Sequence, residues 1–396
     1  MEEWKEYKLG DVAKLTTGFP FDGHKYSKEG IRVVRGDNVT IGSLRWDSDK
    51  DKRWSENFDR ASEFALSDGD IVIGMDGSRV GKNRAQVKQY DLPLLIAQRV
   101  ACVRHNELST QQFLYYHIFS DRFEQYIKAV QTGTSIPHVS LKQIGDFPVI
   151  VPSIKTQQRI ASILSSLDDK IEVNRKINDN LEQQAQALFK SWFVDFEPFK
   201  DGEFVESELG RIPKGWRVGK LGELLNVKYG KDHKKLLDGN IPVYGSGGLM
   251  RNVNQSLYDG ESVLIPRKGS LNNVMYVNEA FWTVDTMFYS IPKQSNIVLF
   301  TYILLCNKDL ASMNAGSAVP SMTTDILNNM QIIMPNEEVL KQFNSLVSAL
   351  FYQIKHNELV SRRLAEIRDT LLPRLMLGEL KVDEIDKENL SNSTRL

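Results

Sequence analysis

Several turns in this chain carry polar side chains of the types that read nucleic-acid bases. Arg35, Asp37 and Asn38 follow the apolar run Ile31-Arg32-Val33-Val34, and Ser78, Arg79, Lys82 and Arg84 follow Ile71-Val72-Ile73. Ser135 and His138 close a third turn that begins at Gly133. Further along come Lys231, His233 and Lys234, then Ser246, then Arg267, Lys268, Ser270, Asn272 and Asn273. Arg or Lys matches the acceptor edge of guanine, Asn or Gln the mixed edge of adenine, and a carboxylate the amino group of cytosine. Polar turns at strand ends are natural carriers for such groups. Lysines are expected to position through phosphates rather than to specify, and Ser135 and His138 are expected near the sugar-phosphate.

Bond-making chemistry fits the same residues poorly. Gly77-Ser78-Arg79-Val80-Gly81-Lys82-Asn83 is one residue short of a phosphate-binding loop and ends in Asn where Ser or Thr is needed. Gly245-Ser246-Gly247-Gly248 starts like a dinucleotide-binding turn, but Met250 breaks the pattern. Glu379-Leu380-Lys381 resembles the end of a nuclease carboxylate motif without its Pro-Asp partner. No Pro-Pro occurs anywhere, so an Asn-Pro-Pro-Tyr or Asp-Pro-Pro-Tyr adenine-methylase segment is absent. His138 has no nearby ligand set, and Cys102 and Cys306 lie in different halves without metal spacing. No catalytic residue and no metal are therefore expected.

The elements that must hold these turns are written twice. Gly133-Thr134-Ser135-Ile136-Pro137 returns 183 residues later as Gly316-Ser317-Ala318-Val319-Pro320, and Val151-Pro152 returns as Met334-Pro335. Trp4 with Leu9-Gly10 is echoed by Trp216 with Leu221-Gly222 at an offset of 212. Two diverged copies of one module follow, since the period far exceeds that of stacked repeats. In each copy short β-type runs come first. In the first copy they are Ile31–Val34, Asp70–Ile73, Ala97–Val103 and Phe147–Val151, with a helix expected over Thr110–Ala129. In the second they are Ser262–Ile265 and Phe281–Ile291, with a helix near Val298–Leu305.

A long helix ends each copy. Apolar slots advance by four and three from Ile160 through Leu164, Leu167 and Ile171 to Leu181, Ala185, Leu188 and Trp192, which is coiled-coil spacing. The matching stripe runs from Phe343 to Leu375. Ser153 and Asn336, each following a proline, are the N-cap residues. Both stripes turn polar midway, at Asn174 and Asn178 and at Asn357 and Ser361. Antiparallel pairing would bring Asn174 near Ser361 and Asn178 near Asn357, sparing each amide ~1–3 kcal/mol of unmet hydrogen bonding. A parallel pair in register would match them as well, so spacing alone leaves the direction open. Trp192, Phe193, Phe196 and Phe199 are expected to pack inward. The alternative is a docking face for a methyltransferase subunit, and because large apolar surface left bare aggregates, the isolated chain is expected to be poorly soluble without its partner.

The 396 residues suggest two or three domains, and 41% hydrophobic with 26% charged residues is ordinary for a soluble protein. The acidic start Met1-Glu2-Glu3 is unlike a signal peptide and no apolar run is long enough to span a membrane, so a reducing, cytoplasmic setting is expected. A net charge of −1 excludes a crude polyanion binder but leaves room for a basic face.

Several segments together resemble the specificity subunits of type I restriction-modification systems. Ser207-Glu208-Leu209-Gly210, Ile212-Pro213-Lys214-Gly215-Trp216 and Leu221-Gly222-Glu223-Leu224 carry the likeness first. The Gly133–His138 turn adds to it, as do Phe189–Phe196, Pro152 with Gln157, Arg159 and Ile160, and Leu371-Leu372 with Gly378-Glu379-Leu380. The second long helix departs mildly, beginning Asn336-Glu337-Glu338 without the usual glutamine. The resemblance implies an α+β fold of two similar target-recognition domains with twisted sheets, at 1–152 and 207–335. It also implies helical regions at 153–206 and 336–385 that pair as an antiparallel coiled coil, and a tail at 386–396. It implies a non-catalytic subunit that reads a bipartite asymmetric site on double-stranded DNA. Its partners would be two methyltransferase subunits carrying S-adenosylmethionine, and restriction subunits using ATP and Mg. No cofactor is expected in this chain. The competing readings are a stand-alone bipartite DNA-binding protein, which would bind tightly alone, and a self-contained methyltransferase. Substituting Arg35→Ala should alter recognition at one half-site and leave the other intact; unchanged methylation of all sites would take Arg35 off the reading set.

Overall fold

A computed structural model describes residues 4–56, 60–133, 135–313 and 321–382 of the chain. Thr134, the second turn at 316–320 and the tail at 386–396 lie outside the described residues. The chain divides into two compact units, Met1–Glu172 with Ser361–Leu396, and Val173–Val360. Each long helix, Ile154–Phe193 and Glu337–Met376, thus contributes one end to each unit.

The duplicated front motif builds the same device in both units. Lys5–Lys8 pairs antiparallel with Pro148–Val151, and Arg217–Lys220 with Gln331–Met334. Each strand runs into a single helical turn, Leu9–Val12 or Leu221–Leu224. A carboxylate inside that turn accepts from the backbone N–H just before it: Asp11 from Lys8 at 3.0 Å, Glu223 from Lys220 at 2.7 Å. A Cβ on Gly222 would stand 3.0 Å from the Asn328 carbonyl oxygen, so the close approach of this turn to its neighbour helix needs glycine. The front repeat is therefore a clasp that ties the entry of each unit to the strand leading into its long helix.

In the first unit a four-stranded antiparallel sheet takes the order Ala13–Thr17, Val100–His105, Ile71–Gly74, Arg84–Gln86. Both of its faces are covered. Ile71 and Ile73 pack with Phe113, Phe123 and Phe147, whereas Val72 packs on the opposite side with Val34, Val39 and Leu94. Side chains alternate across a strand, so a strand buried on both faces reads as an unbroken apolar run. The second face is closed by a three-stranded sheet of Ile31–Val34, Arg53–Trp54 and Leu94–Ile96.

Two expectations need correction here. The helix expected over Thr110–Ala129 is two helices, Gln111–Ile118 and Asp121–Val130. Ser120 stops the first and caps the second, its hydroxyl accepting from the Phe123 N–H at 3.2 Å, a signal that the apolar periodicity masked. The run Ala97–Val103 is not one strand either. It turns at Gln98-Arg99, where Arg99 adopts φ 67°, and the strand starts at Val100.

In the second unit a six-stranded sheet contains Tyr258–Pro266, Met275–Thr283 and Met287–Pro292. The expected single run Phe281–Ile291 is thus split by a turn at Val284–Thr286. The helix Val298–Cys306 forms where expected. Trp192 and Phe193 end the first long helix inside an aromatic cluster, with Phe193 4.8 Å from Phe343, 4.9 Å from Phe300 and 5.7 Å from Trp216. Phe196 and Phe199 also pack on Trp216, so these aromatics face inward as expected.

Each long helix is 40 residues, or ~60 Å. The caps are as read: the Thr156 N–H donates to Ser153 Oγ at 3.3 Å and the Val339 N–H to Asn336 Oδ1 at 3.0 Å. Gln157, buried in the first turn of the first helix, receives the Thr110 N–H at 2.9 Å and donates to Leu108 O at 2.9 Å, which pins the loop ahead of the sheet-covering helices. In the second unit the helices run antiparallel. Asn178 Nδ2 donates to Ile354 O at 3.2 Å, Asn357 Nδ2 to Asn178 Oδ1 at 2.8 Å, and Asn174 Nδ2 to Asn357 O at 3.5 Å. In the first unit the same direction brings Asp168 to Arg368 at 2.7 Å, beside the buried Leu164 and Leu375. Ser361 is half-buried on the second helix.

Leucine at Asn178 alone takes the acceptor from Asn357 Nδ2, while Asn357 Oδ1 keeps its bond from Gln353. Asn178→Leu should therefore cost about 1–3 kcal/mol in urea unfolding, and Asn178→Leu with Asn357→Leu less than the sum of the single changes. Additive costs, or none, would remove the amide pair as the register device.

Candidate nucleic-acid interface

The first unit opens a cleft of about 700 Å³ at the turns that leave its two sheets. Arg35, Asp37, Ser78 and Arg79 line it as the sequence reading placed them, together with Tyr26, Arg45, Asn83, Gln98 and Arg99, which that reading missed. The signal for the last two was present: a polar Gln-Arg pair interrupts the apolar run from Leu94 to Val103.

Asp76 organises one wall. Arg99 Nη1 donates to Asp76 Oδ2 at 2.9 Å, and the His138 Nδ1–H donates to Asp76 Oδ1. Backbone bonds tie the same three segments, with the Met75 N–H donating to Arg99 O at 3.0 Å and the Gly77 N–H to Pro137 O at 3.0 Å. Burial alone would raise the Asp76 carboxyl, but the hydrogen bonds from His138 and Arg99 outweigh it and hold the group below its ordinary 3.8. His138 thus acts on the cleft through Asp76. Arg35 lies with its guanidinium 5.8 Å from the Tyr26 ring centroid, its Nη2 3.8 Å from Asp37.

Two residues leave the reading set. Asn38 is 0% exposed; its Oδ1 accepts from the Arg35 N–H and its Nδ2 donates to the carbonyls of Arg45 and Lys50, each at 3.0 Å. It shapes the turn that presents Arg35 and Asp37. Arg84 is buried against Phe119 and Phe123 and donates to Ile118 O at 2.7 Å, closing the end of helix Gln111–Ile118. Burial, its largest influence, depresses that guanidinium despite nearby Glu124 and Asp121. Lys82 is exposed outside the cleft lining, 3.5 Å from Glu124, and Ser135 is exposed beside the lining residue Ile136.

The second unit has its own cleft, about 550 Å³, lined by His233, Lys234, Ser246, Met250, Asp285 and Thr286 among others. Its turns are also tied to one another. The Arg267 N–H donates to Thr286 O at 2.9 Å, Arg267 Nη1 to Asp285 O at 3.2 Å, and the guanidinium sits 5.3 Å from the Tyr229 ring centroid. Asn273 donates to Ser246 O at 2.8 Å, and Asn272 bonds Asp309 and the Ala311 N–H. These two asparagines brace the loops. Lys231 stands outside the lining and its carbonyl accepts from Trp282 Nε1 at 2.9 Å, while Lys268 and Ser270 are exposed at the next turn.

The first cleft offers arginine forks, amides and hydroxyls, and the second a lysine, a histidine and hydroxyls, on braced turns suited to hydrogen-bonding bases and phosphates. Burial pushes the Cys102 thiol up to about 12 and the Cys306 thiol up to about 11, which leaves neither poised as a nucleophile. Among the described residues no group of three or more His, Cys, Asp or Glu side chains is placed to hold a metal ion. No described helix is long and apolar enough to cross a membrane.

Comparison with known proteins bears on what such clefts are for. The family model of the type I restriction modification DNA specificity domain matches residues 1–183 and 213–368, once for each copy. The type I restriction enzyme MjaIX specificity subunit of Methanocaldococcus jannaschii is 30% identical over 96% of this chain and 89% of its own. The HindI specificity subunit of Haemophilus influenzae is 24% identical over 96% of this chain and all (100%) of its own. Among solved structures, the type I restriction-modification S subunit from M. genitalium superposes with a TM-score of 0.58 at 18% identity, covering 95% of this chain and 96% of that one, which shows a shared fold.

The Asp76 wall makes a pH prediction. A carboxyl depressed on folding contributes stability that is complete above its ordinary 3.8 and is lost as pH falls through the lower folded value. Asp76→Asn should lower Tm by roughly 2–4 °C at pH 7, a deficit that shrinks on acidification below the ordinary value. A deficit independent of pH, or one that grows in acid, would show that the carboxylate does not hold this wall.

Proposed function

The chain belongs to the type I restriction modification DNA specificity family, and from that premise we propose that it reads a split, asymmetric DNA site, one half in each unit. The target-recognition domains are 1–152 and 207–335. The observation that carries this reading is the pairing of a duplicated clasp with one polar, braced cleft per unit. Two clefts with different side chains, each above the same clasp, suit two targets of one kind but different sequence.

The antiparallel helices set the length of DNA left unread between the halves. A two-fold relation between reading modules is how paired DNA binders fix half-site spacing. Their outer faces dock two adenine methyltransferase subunits, which bring S-adenosylmethionine and flip the target base from the stack. Restriction subunits, using ATP and Mg, join the same assembly in the cytoplasm.

The test is co-expression with an adenine methyltransferase subunit in a methylation-free host, followed by single-molecule sequencing of methylated adenines. Two short specified blocks around a fixed gap are expected. Methylation of one continuous motif, or none, would contradict the split-site reading.

A further inference from the structure

We propose that Arg99 reads a base in the first half-site and that this base is guanine. The proposal rests on the reading of this cleft as a DNA interface and extends it to one side chain and one base.

Arg99 differs from the other arginines of the cleft in how it is held. Its backbone lies at φ 67°, a region that few residues other than glycine occupy. It is kept there from both sides: the Gln98 N–H donates to Phe19 O at 2.9 Å, and Arg99 O accepts from the Met75 N–H at 3.0 Å. Strain of this kind persists where the surroundings over-determine a conformation, as they do at ligand sites. The guanidinium is then fixed at one corner by Asp76, 2.9 Å from Nη1, and Asp76 is itself held by His138. The Arg99 side chain remains 69% exposed against 22% for Asp76, so the fork faces outward while its anchor is covered. Arginine has five N–H donors, and one bond to Asp76 leaves a pair free for a planar partner.

The other arginines are less suited. Arg79 lines the cleft on an exposed turn, but among the described residues no carboxylate anchors its fork as Asp76 anchors that of Arg99. Arg84 is buried and spent on helix carbonyls. Arg35 is covered along its length, with Nε buried, and lies over Tyr26. Arg45 is drawn to Asp47 at 3.2 Å and to the Asp37 carbonyl at 3.4 Å.

The anchor also points to the ligand. A phosphate is an anion, and a carboxylate beside the guanidinium offsets the attraction that a phosphate clamp depends on. A guanine edge is neutral. Its O6 and N7 sit side by side as acceptors for two N–H groups of one fork, whereas adenine presents a donor at the position of O6. A pre-oriented, partly neutralised arginine therefore favours guanine over phosphate and over adenine.

The experiment selects from a randomised duplex library with the chain bound to its methyltransferase subunits. The native chain supplies the reference motif, and Arg99→Lys, Arg99→Gln and Asp76→Asn are compared with it. Lysine keeps the charge but not the fork. At one guanine of the first half-site, the Lys variant should lose discrimination by roughly 5- to 150-fold, and the Gln variant should gain adenine there. Asp76→Asn should relax the same position more weakly. The second half-site should be unchanged in all three, which also reports that the variants are folded. An unchanged motif in the Lys and Gln variants, or weakening spread evenly over all sequences as a phosphate contact gives, would overturn the proposal. A native complex that selects no split motif would overturn the functional reading itself, and this assignment with it.

Discussion

A buried amide must find a partner, and in the helix pair Asn178 and Asn357 find each other. Sliding one helix by a turn would break that amide pair and move polar slots at its edges against apolar ones, leaving donors and acceptors unmet at ~1–3 kcal/mol each. The leucines and isoleucines of the two stripes would tolerate such a slip far better, because apolar contact is non-directional. Register is thus held by a few polar groups within a mostly apolar seam, and direction follows from the same bonds, since Asn174 reaches Asn357 while Asn178 reaches Ile354. The seam carries the clasps with it: the strands Pro148–Val151 and Gln331–Met334 lead directly into the two helices and pair with the strands that open each unit.

The clefts depend on a different division of labour. In the first unit the sheet spends its side chains on two cores, so recognition is left to the turns. Turns hold their shape poorly unless their backbone groups are satisfied. Here they are tied by polar side chains: Asn38 under the Arg35 turn, Asp76 between Arg99 and His138, Asn273 between two loops of the second unit. Asn38 is hidden from a ligand, whereas Asp76 lines the cleft and Asn273 is exposed, and all three shape what a ligand meets. A difference in the bracing sets, with the same clasp beneath, gives two units of one architecture with different surfaces.

Much of this could be read without coordinates. The duplication, both helix caps, the Asn178–Asn357 match and the polar turns that line the first unit's cleft all rest on local patterns, and local patterns survive folding. What escaped the reading was tertiary. Asn38 and Arg84 look like reading residues because of their types, and only burial shows that one stitches a turn and the other caps a helix end. Arg99 was missed for the opposite reason: the polar Gln98-Arg99 pair does interrupt its apolar run, but the apolar residues on both sides make the whole stretch read as one strand. Ser120 split a helix that its apolar periodicity carried straight through. Direction of the helix pair was undecidable from spacing, because a parallel pair in register aligns the same asparagines.

The central proposal is that the antiparallel helix pair sets the gap between the two half-sites. Its most direct test is the affinity of the assembled methyltransferase for duplexes in which the gap between the two half-sites is lengthened or shortened one base pair at a time. Each added pair moves one half-site by about 3.4 Å and rotates it by roughly 35°. The account predicts one strongly preferred gap, with affinity falling steeply at one base pair either side and each half-site alone bound weakly. Equal affinity across several gaps would mean that the helices do not measure the DNA.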